Sequence, residues 1–126
     1  MKKIMIVIGT RPEAIKLAPI IAAFENNKYF SYEICMTGQH KSLLNSVLSD
    51  MNIKVSYKFQ STESKGSLCH SATHMLSEFS NTLEKSRPDL IIVQGDTTTA
   101  FVAALASFYS GIAVAHIEAG LRTNNI

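Results

Sequence analysis

The stretch Ile91–Thr123, "IIVQGDTTTAFVAALASFYSGIAVAHIEAGLRT", decides the fold. An apolar run closes at Gly95-Asp96, a helical segment rich in Thr and Ala runs to Gly111, and a second apolar run closes at Glu118. Strand, helix and strand joined by short turns form a right-handed crossover, which makes the two strands parallel neighbours. A carboxylate directly after each strand is unusual there, because these positions border a buried sheet.

The same alternation continues toward the N-terminus. "KKIMIVIG" is a short, β-branched, almost continuous apolar run, the pattern of a strand covered on both faces. "TRPEAIKLAPIIAAF" is a helix, with Thr10 and Glu13 at capping-box spacing and Pro12 in the first turn; Pro19, further in, is expected to kink or split it. "SYEICMTG" is the second strand. "QHKSLLNSVLSDM" is a helix carrying Leu43, Leu44, Val47 and Leu48 on one side, and "KVSYKF" is a short edge strand. "GSLCHSATHMLSEFSNTLEKS" is a long amphipathic helix with Leu68, Ala72, Met75, Leu76, Phe79 and Leu83 at helical spacing. The prediction is an α/β doubly wound parallel sheet, Rossmann-like, with strand order 3-2-1-4-5 and one domain over residues 1–126. There is no internal repeat, low-complexity tract or linker.

Composition narrows the function. A chain of 126 residues with 46% apolar and 17% charged residues suits one globular core. A net charge of +2 with scattered lysines argues against a nucleic-acid partner. The opening "MKKIMIVIGTRPE" mimics a signal peptide, but its apolar run stops at Gly9 and charge follows at Arg11 and Glu13. No apolar stretch approaches the ~20 residues of a membrane span, so no membrane insertion is expected. Cys35 and Cys69 lack C-x-x-C spacing and read as reduced thiols of a cytoplasmic protein.

In a doubly wound sheet, residues following strands one, four and five gather at one crevice. Those residues are "GTRPE", "GDTTT" and "EAGLRT", which brings Asp96, Glu118 and Arg11 to one cleft. Glycines 9, 95 and 120 allow sharp turns or close approach. The helix starts after strands one and four offer N–H groups to a phosphate or to sugar hydroxyls. Two carboxylates in a partly desolvated cleft have their pKa values pushed apart, which suits one as general base and the other as general acid. Plain structural roles stand beside these: Asp96 as a helix N-cap, Arg11 as a solvated loop cation, and Arg122 as the partner of Glu118.

Other candidates are weaker. His70 and His74 have the i, i+4 spacing of a metal pair without an evident third ligand, and a solvated helix face explains them. His116 reads as a core histidine or one set behind the site. Gln39 and His40 open the second helix at the same sheet edge, either as ligand contacts or as its cap. "IGTRPEA" is neither a G-x-G-x-x-G fingerprint nor a P-loop, so nicotinamide enzymes and P-loop ATPases fit poorly.

Taken together, "GTRPEAIKLAPII", "TGQHKSLL" and "RPDLIIVQGDTTTAFVAALASFYSGIAVAHIEAGLRT" resemble the N-terminal part of the UDP-N-acetylglucosamine 2-epimerases. The resemblance is loosest between Asn52 and Lys65, and "GDTTT" with "EAGLRT" is similar to the non-hydrolysing bacterial type. It implies the N-terminal half of a two-domain GT-B architecture, with a UDP-sugar held between two Rossmann-like halves, and a homodimeric parent enzyme. It also implies C2 epimerisation between UDP-N-acetylglucosamine and UDP-N-acetylmannosamine in polysaccharide biosynthesis, through UDP elimination to 2-acetamidoglucal and re-addition. On the matching motifs, Asp96 and Glu118 are the acid/base candidates, and Arg11, Lys16 and Arg122 the substrate contacts. Gln39 matches a segment that in some members binds a second, activating UDP-sugar, although Ser42 departs from it. No metal or organic cofactor is implied. The family's C-terminal nucleotide-binding domain has no counterpart in these residues, so the expectation is that the chain as given is catalytically inert. The alternative is a non-catalytic, self-associating interaction module.

Overall fold

The computed structural model describes residues 1–38, 41–60, 66–120 and 122–125. Gln39 and His40 therefore lie outside the described residues. Nine elements follow in chain order: β1 (Lys2–Ile8), α1 (Arg11–Glu25), β2 (Phe30–Met36), α2 (Lys41–Asp50), β3 (Tyr57–Lys58), α3 (Leu68–Ser86), β4 (Leu90–Gln94), α4 (Thr98–Tyr109) and β5 (Ala113–Ile117). The strands form one parallel sheet in the order β3-β2-β1-β4-β5, as the alternation predicted.

The apolar runs are continuous because both faces of the sheet are covered. Ile4, Ile6 and Ile8 of β1, with Ile34, Met36 and Ile92, meet Ala14, Leu17 and Ile21 of α1 and Leu44 and Leu48 of α2. The alternate residues Met5, Val7, Cys35, Ile91 and Val93 meet Met75, Phe79 and Leu83 of α3 and Ala100, Val102, Ala103 and Ala106 of α4. Each large apolar side chain fully buried in these layers contributes about 1.5–3 kcal/mol. Phe59, just past β3, closes the second layer edge-to-face on Phe79 at 4.7 Å between ring centroids.

Several local expectations are corrected. Pro19 neither splits nor ends α1, which runs unbroken for 15 residues. Its ring lies on the exposed face, as does Ile15, whose carbonyl loses a helical donor to it and is left toward water. Leu43 is 60% exposed and faces away from the core that Leu44 and Leu48 enter. Leu68 is likewise exposed, because α3 begins there, capped by Ser67, whose Oγ accepts from His70 N. The third strand shrinks to two residues paired with Cys35 and Met36.

Candidate functional site

The C-terminal ends of β1, β4 and β5 open on one cavity of about 1110 Å³. Thr10, Arg11, Pro12, Glu13 and Lys16 line it from the β1–α1 connection and the start of α1. Gln94, Gly95, Asp96 and Thr97 line it from the end of β4, and Glu118, Ala119 and Gly120 from the end of β5; Leu43 adds an apolar wall from α2. Of the residues singled out from the sequence, Arg11, Lys16, Asp96 and Glu118 thus share one space. Arg122 is exposed and is not among the described residues that line it.

Glu118 occupies a left-handed backbone conformation, φ +56°, unusual for a residue with a Cβ. Its Oε2 accepts from Lys16 Nζ at 2.7 Å and from Gln94 Nε2. The Lys16 hydrogen bond, with the ammonium charge behind it, holds the Glu118 carboxyl below the ordinary glutamate range, against a smaller opposing effect of desolvation. Lys16 is thus an ion-pair partner of Glu118. The pair is open to solvent, with the two side chains 49% and 55% exposed. Asp96 is exposed too, so the desolvated carboxylate pair expected from the sequence is not what this half of the cleft provides. The reason is geometric: both acids project beyond the strand ends, past the layers that exclude water.

Asp96 is not the cap of α4. Thr97 takes that duty, its Oγ1 accepting from Ala100 N at 3.1 Å, and Asp96 precedes it at the tip of the turn. Two backbone amides just before α1 already have an acceptor. The Gly9 and Thr10 amides both donate to Oε2 of Glu13, the former at 2.8 Å. Oε1 of the same carboxylate accepts from Thr97 Oγ1 at 2.6 Å. Glu13 is 2% exposed and joins the two turns.

Beneath these turns Gly9 lies so close to α4 that an added Cβ would stand 2.1 Å from Thr99 Oγ1. Thr99 and Thr37 share a hydrogen bond of 2.9 Å directly below it. Gly95 (φ +72°) instead supplies the left-handed turn that swings the chain toward Asp96. His116 is exposed on β5, and its Nε2 is 2.6 Å from Gly95 O, so it steadies the Asp96 turn from the side. His70 is exposed and His74 half-buried on α3, and among the described residues no group of three or more His, Cys, Asp or Glu converges to hold a metal.

The profile of the UDP-N-acetylglucosamine 2-epimerase family matches residues 22–126. This chain belongs to that family. The UDP-N-acetylglucosamine 2-epimerase of Campylobacter jejuni is 45% identical over 125 residues, covering 99% of this chain and 33% of the relative. The crystal structure of the Neisseria meningitidis UDP-GlcNAc 2-epimerase bound to UDP-GlcNAc superposes with a TM-score of 0.92 at 45% identity, over 98% of this chain and 33% of that one. The chain thus spans about a third of the length of the relatives it matches. Acinetobacter baumannii MurG shares the GT-B-type fold alone, with a TM-score of 0.72 at 15% identity over 92% of this chain and 35% of MurG.

Two residues lining this cavity escaped the sequence reading, Glu13 as a link between turns and Gln94 as a partner of Glu118. Glu13 was hidden by its capping-box position, which already accounts for a glutamate. Gln94 carried a signal: it is the one polar residue in the run "LIIVQ", and it is buried.

Proposed function

We propose that this chain forms one wall of the active cleft of an epimerase of the non-hydrolysing type. The enzyme interconverts UDP-N-acetylglucosamine and UDP-N-acetylmannosamine. The observation that carries the reading is the convergence of Asp96, Glu118, Arg11 and Lys16 on one cavity at the ends of adjacent parallel strands.

The C2–H of the sugar is not acidified by a neighbouring carbonyl, so direct deprotonation is slow. In the elimination route the C1–O bond breaks with its electron pair leaving on UDP, the C2 proton passes to a carboxylate, and a C1=C2 double bond remains in 2-acetamidoglucal. Re-addition returns a proton to the opposite face of C2 while a UDP oxygen attacks C1. Asp96 and Glu118 serve as the acid/base pair, and either anion also stabilises oxocarbenium character at C1. Arg11 and Lys16 hold the diphosphate, and Arg122 closes on the substrate from the segment beyond Gly120. An incoming diphosphate competes with Glu118 for Lys16, and so releases the carboxylate as the substrate arrives. A cytoplasmic location fits a reaction on a nucleotide sugar and is part of this proposal.

The test is conversion of UDP-N-acetylglucosamine by the full gene product, with deuterium incorporated at C2 in heavy water. Replacing Asp96 by Asn or Glu118 by Gln is expected to lower kcat by about 10²–10⁴-fold. Undiminished turnover in both variants would remove these residues from the mechanism.

A second reading, self-association, is favoured by a specific observation. Phe101, Phe108 and Tyr109 of α4 are 66%, 77% and 72% exposed, and among the described residues β5, with Val114, is the outer strand of the sheet. Apolar surface and an unpaired strand edge favour pairing, including a homodimer. Sedimentation of the chain with and without UDP-sugar separates the readings: association without ligand binding supports the module.

A further inference from the structure

We propose that Glu13 is a positioning residue of this site: a buried carboxylate that clasps the Arg11-bearing turn to the Asp96-bearing turn and so fixes the distance across the cleft between the groups that hold and those that react. The inference rests on the functional reading above and deepens it. Glu13 lines the cavity yet is 2% exposed, below Arg11 and Lys16. One oxygen binds Gly9 N and Thr10 N, immediately before Arg11; the other binds Thr97 Oγ1, immediately after Asp96. Thr97 Oγ1 in turn accepts Ala100 N, so the clasp runs into the first turn of α4. Three donors meet the two oxygens, and each contact joins the carboxylate to a turn rather than to a freely moving side chain. Removing the carboxylate leaves two amides beside α1 without their acceptor and frees the Thr97 hydroxyl, so the turns no longer share a rigid link.

The experiment compares Glu13→Ala and Glu13→Gln in the full gene product, with kcat normalised to the folded fraction. Glutamine keeps one acceptor oxygen for the Gly9 and Thr10 amides and can donate to Thr97. Misplacement across the cleft on the order of 1 Å costs about 10²-fold in rate, which is the fall expected for Glu13→Ala. Glu13→Gln is expected to recover the larger part of kcat, and both limbs of the pH–rate profile are expected to persist in both variants. In the same protein, the backbone amide resonances of residues 95–97 are expected to shift in Glu13→Ala and to stay near their native positions in Glu13→Gln. Should Glu13→Ala fail to fold, Thr97→Val breaks the clasp from the other turn, with amide shifts expected at Gly9, Thr10 and Arg11.

Equal loss in the Gln and Ala variants with disappearance of one pH limb would make Glu13 a proton carrier and overturn positioning. Native kcat in Glu13→Ala, or amides at 95–97 that ignore it, would overturn the clasp outright. If the native protein does not epimerise UDP-N-acetylglucosamine, the functional reading falls, and the amide shifts still decide whether Glu13 joins the two turns.

Discussion

Replacing Gly9 by Ala tests whether the cleft is held from below by close backbone packing. The added Cβ would stand 2.1 Å from Thr99 Oγ1, 2.7 Å from Thr99 Cβ and 3.0 Å from Thr37 Oγ1. Against an optimum near 3.5 Å, the first contact is about 1.4 Å too close. Rotating the Thr99 hydroxyl does not relieve it, because the Thr99 Cβ is also in the way and a β-branched residue in a helix has little χ1 freedom. Thr99 and Thr37 are 1% and 3% exposed, so neither has room to retreat. Either α4 backs away from the sheet or the β1–α1 turn lifts. Overpacking of this kind costs about 1–3 kcal/mol, and breaking the Thr37–Thr99 hydrogen bond adds about 1 kcal/mol. The expected loss is about 2–4 kcal/mol, a fall in Tm of about 8–16 °C for a chain of this size.

Urea denaturation followed by far-UV circular dichroism measures it, with two controls. Gly95→Ala meets no atom within 4 Å but sits at φ +72°, so its cost is that of backbone strain alone, about 1–2 kcal/mol. Thr99→Ala removes the nearest atom, so the double variant Gly9→Ala/Thr99→Ala is expected to be at least about 1 kcal/mol more stable than additivity allows. A Gly9→Ala protein within about 0.5 kcal/mol of the native one, or strict additivity with Thr99→Ala, would refute the packing argument.

Two further outcomes follow from the charges and thiols. Lys16→Met is expected to raise the Glu118 pKa toward the ordinary glutamate value, read from the carboxyl carbon resonance in a pH titration; an unmoved titration would show that Lys16 does not hold it down. The sign is fixed by the lowered folded-state pKa: the stabilisation from Glu118 is present above its unfolded value, is lost as pH falls through the lower folded value, and Lys16→Met closes that window. Burial, aided by the charge of Glu78, pushes the Cys35 thiol far up, whereas Cys69 is exposed. A thiol-specific disulfide reagent is thus expected to modify Cys69 alone in the native chain and both thiols in denaturant; fast native reaction of Cys35 would contradict its place in the sheet.

The sheet was legible because its information is local and redundant. Each apolar run of β1, β2, β4 and β5 has the length of a strand, each intervening segment has helical spacing, and handedness then leaves few arrangements. The edge was less legible: "KVSYKF" alternates like a longer strand, but only Tyr57 and Lys58 pair in the ladder, with Cys35 and Met36, while the Ser56 and Phe59 amides on either side donate to Ile34 and Met36 of β2. Helix periodicity assigned Leu44 and Leu48 correctly and misplaced Leu43 and Leu68, because a stripe of leucines does not say where its helix runs past the core. Within the site, chain direction alone brought Asp96, Glu118 and Arg11 together. Partners were another matter. Lys16 reaches Glu118 across 102 positions of sequence, and Glu13 reaches Thr97 across 84.

That division has a physical origin which bears on the chemistry. Strand ends are collected by topology, so any doubly wound sheet offers three turns at such a crevice, whatever they carry. What distinguishes this crevice is that its acids are managed differently. Glu13, buried among fixed backbone and hydroxyl donors, is bound to the scaffold. Glu118, exposed, is held by the ammonium of Lys16 and the amide of Gln94. Asp96 stands on a turn shaped by Gly95 and steadied by Thr97 and His116. One carboxylate thus joins two turns, and the two others stand exposed on the cavity.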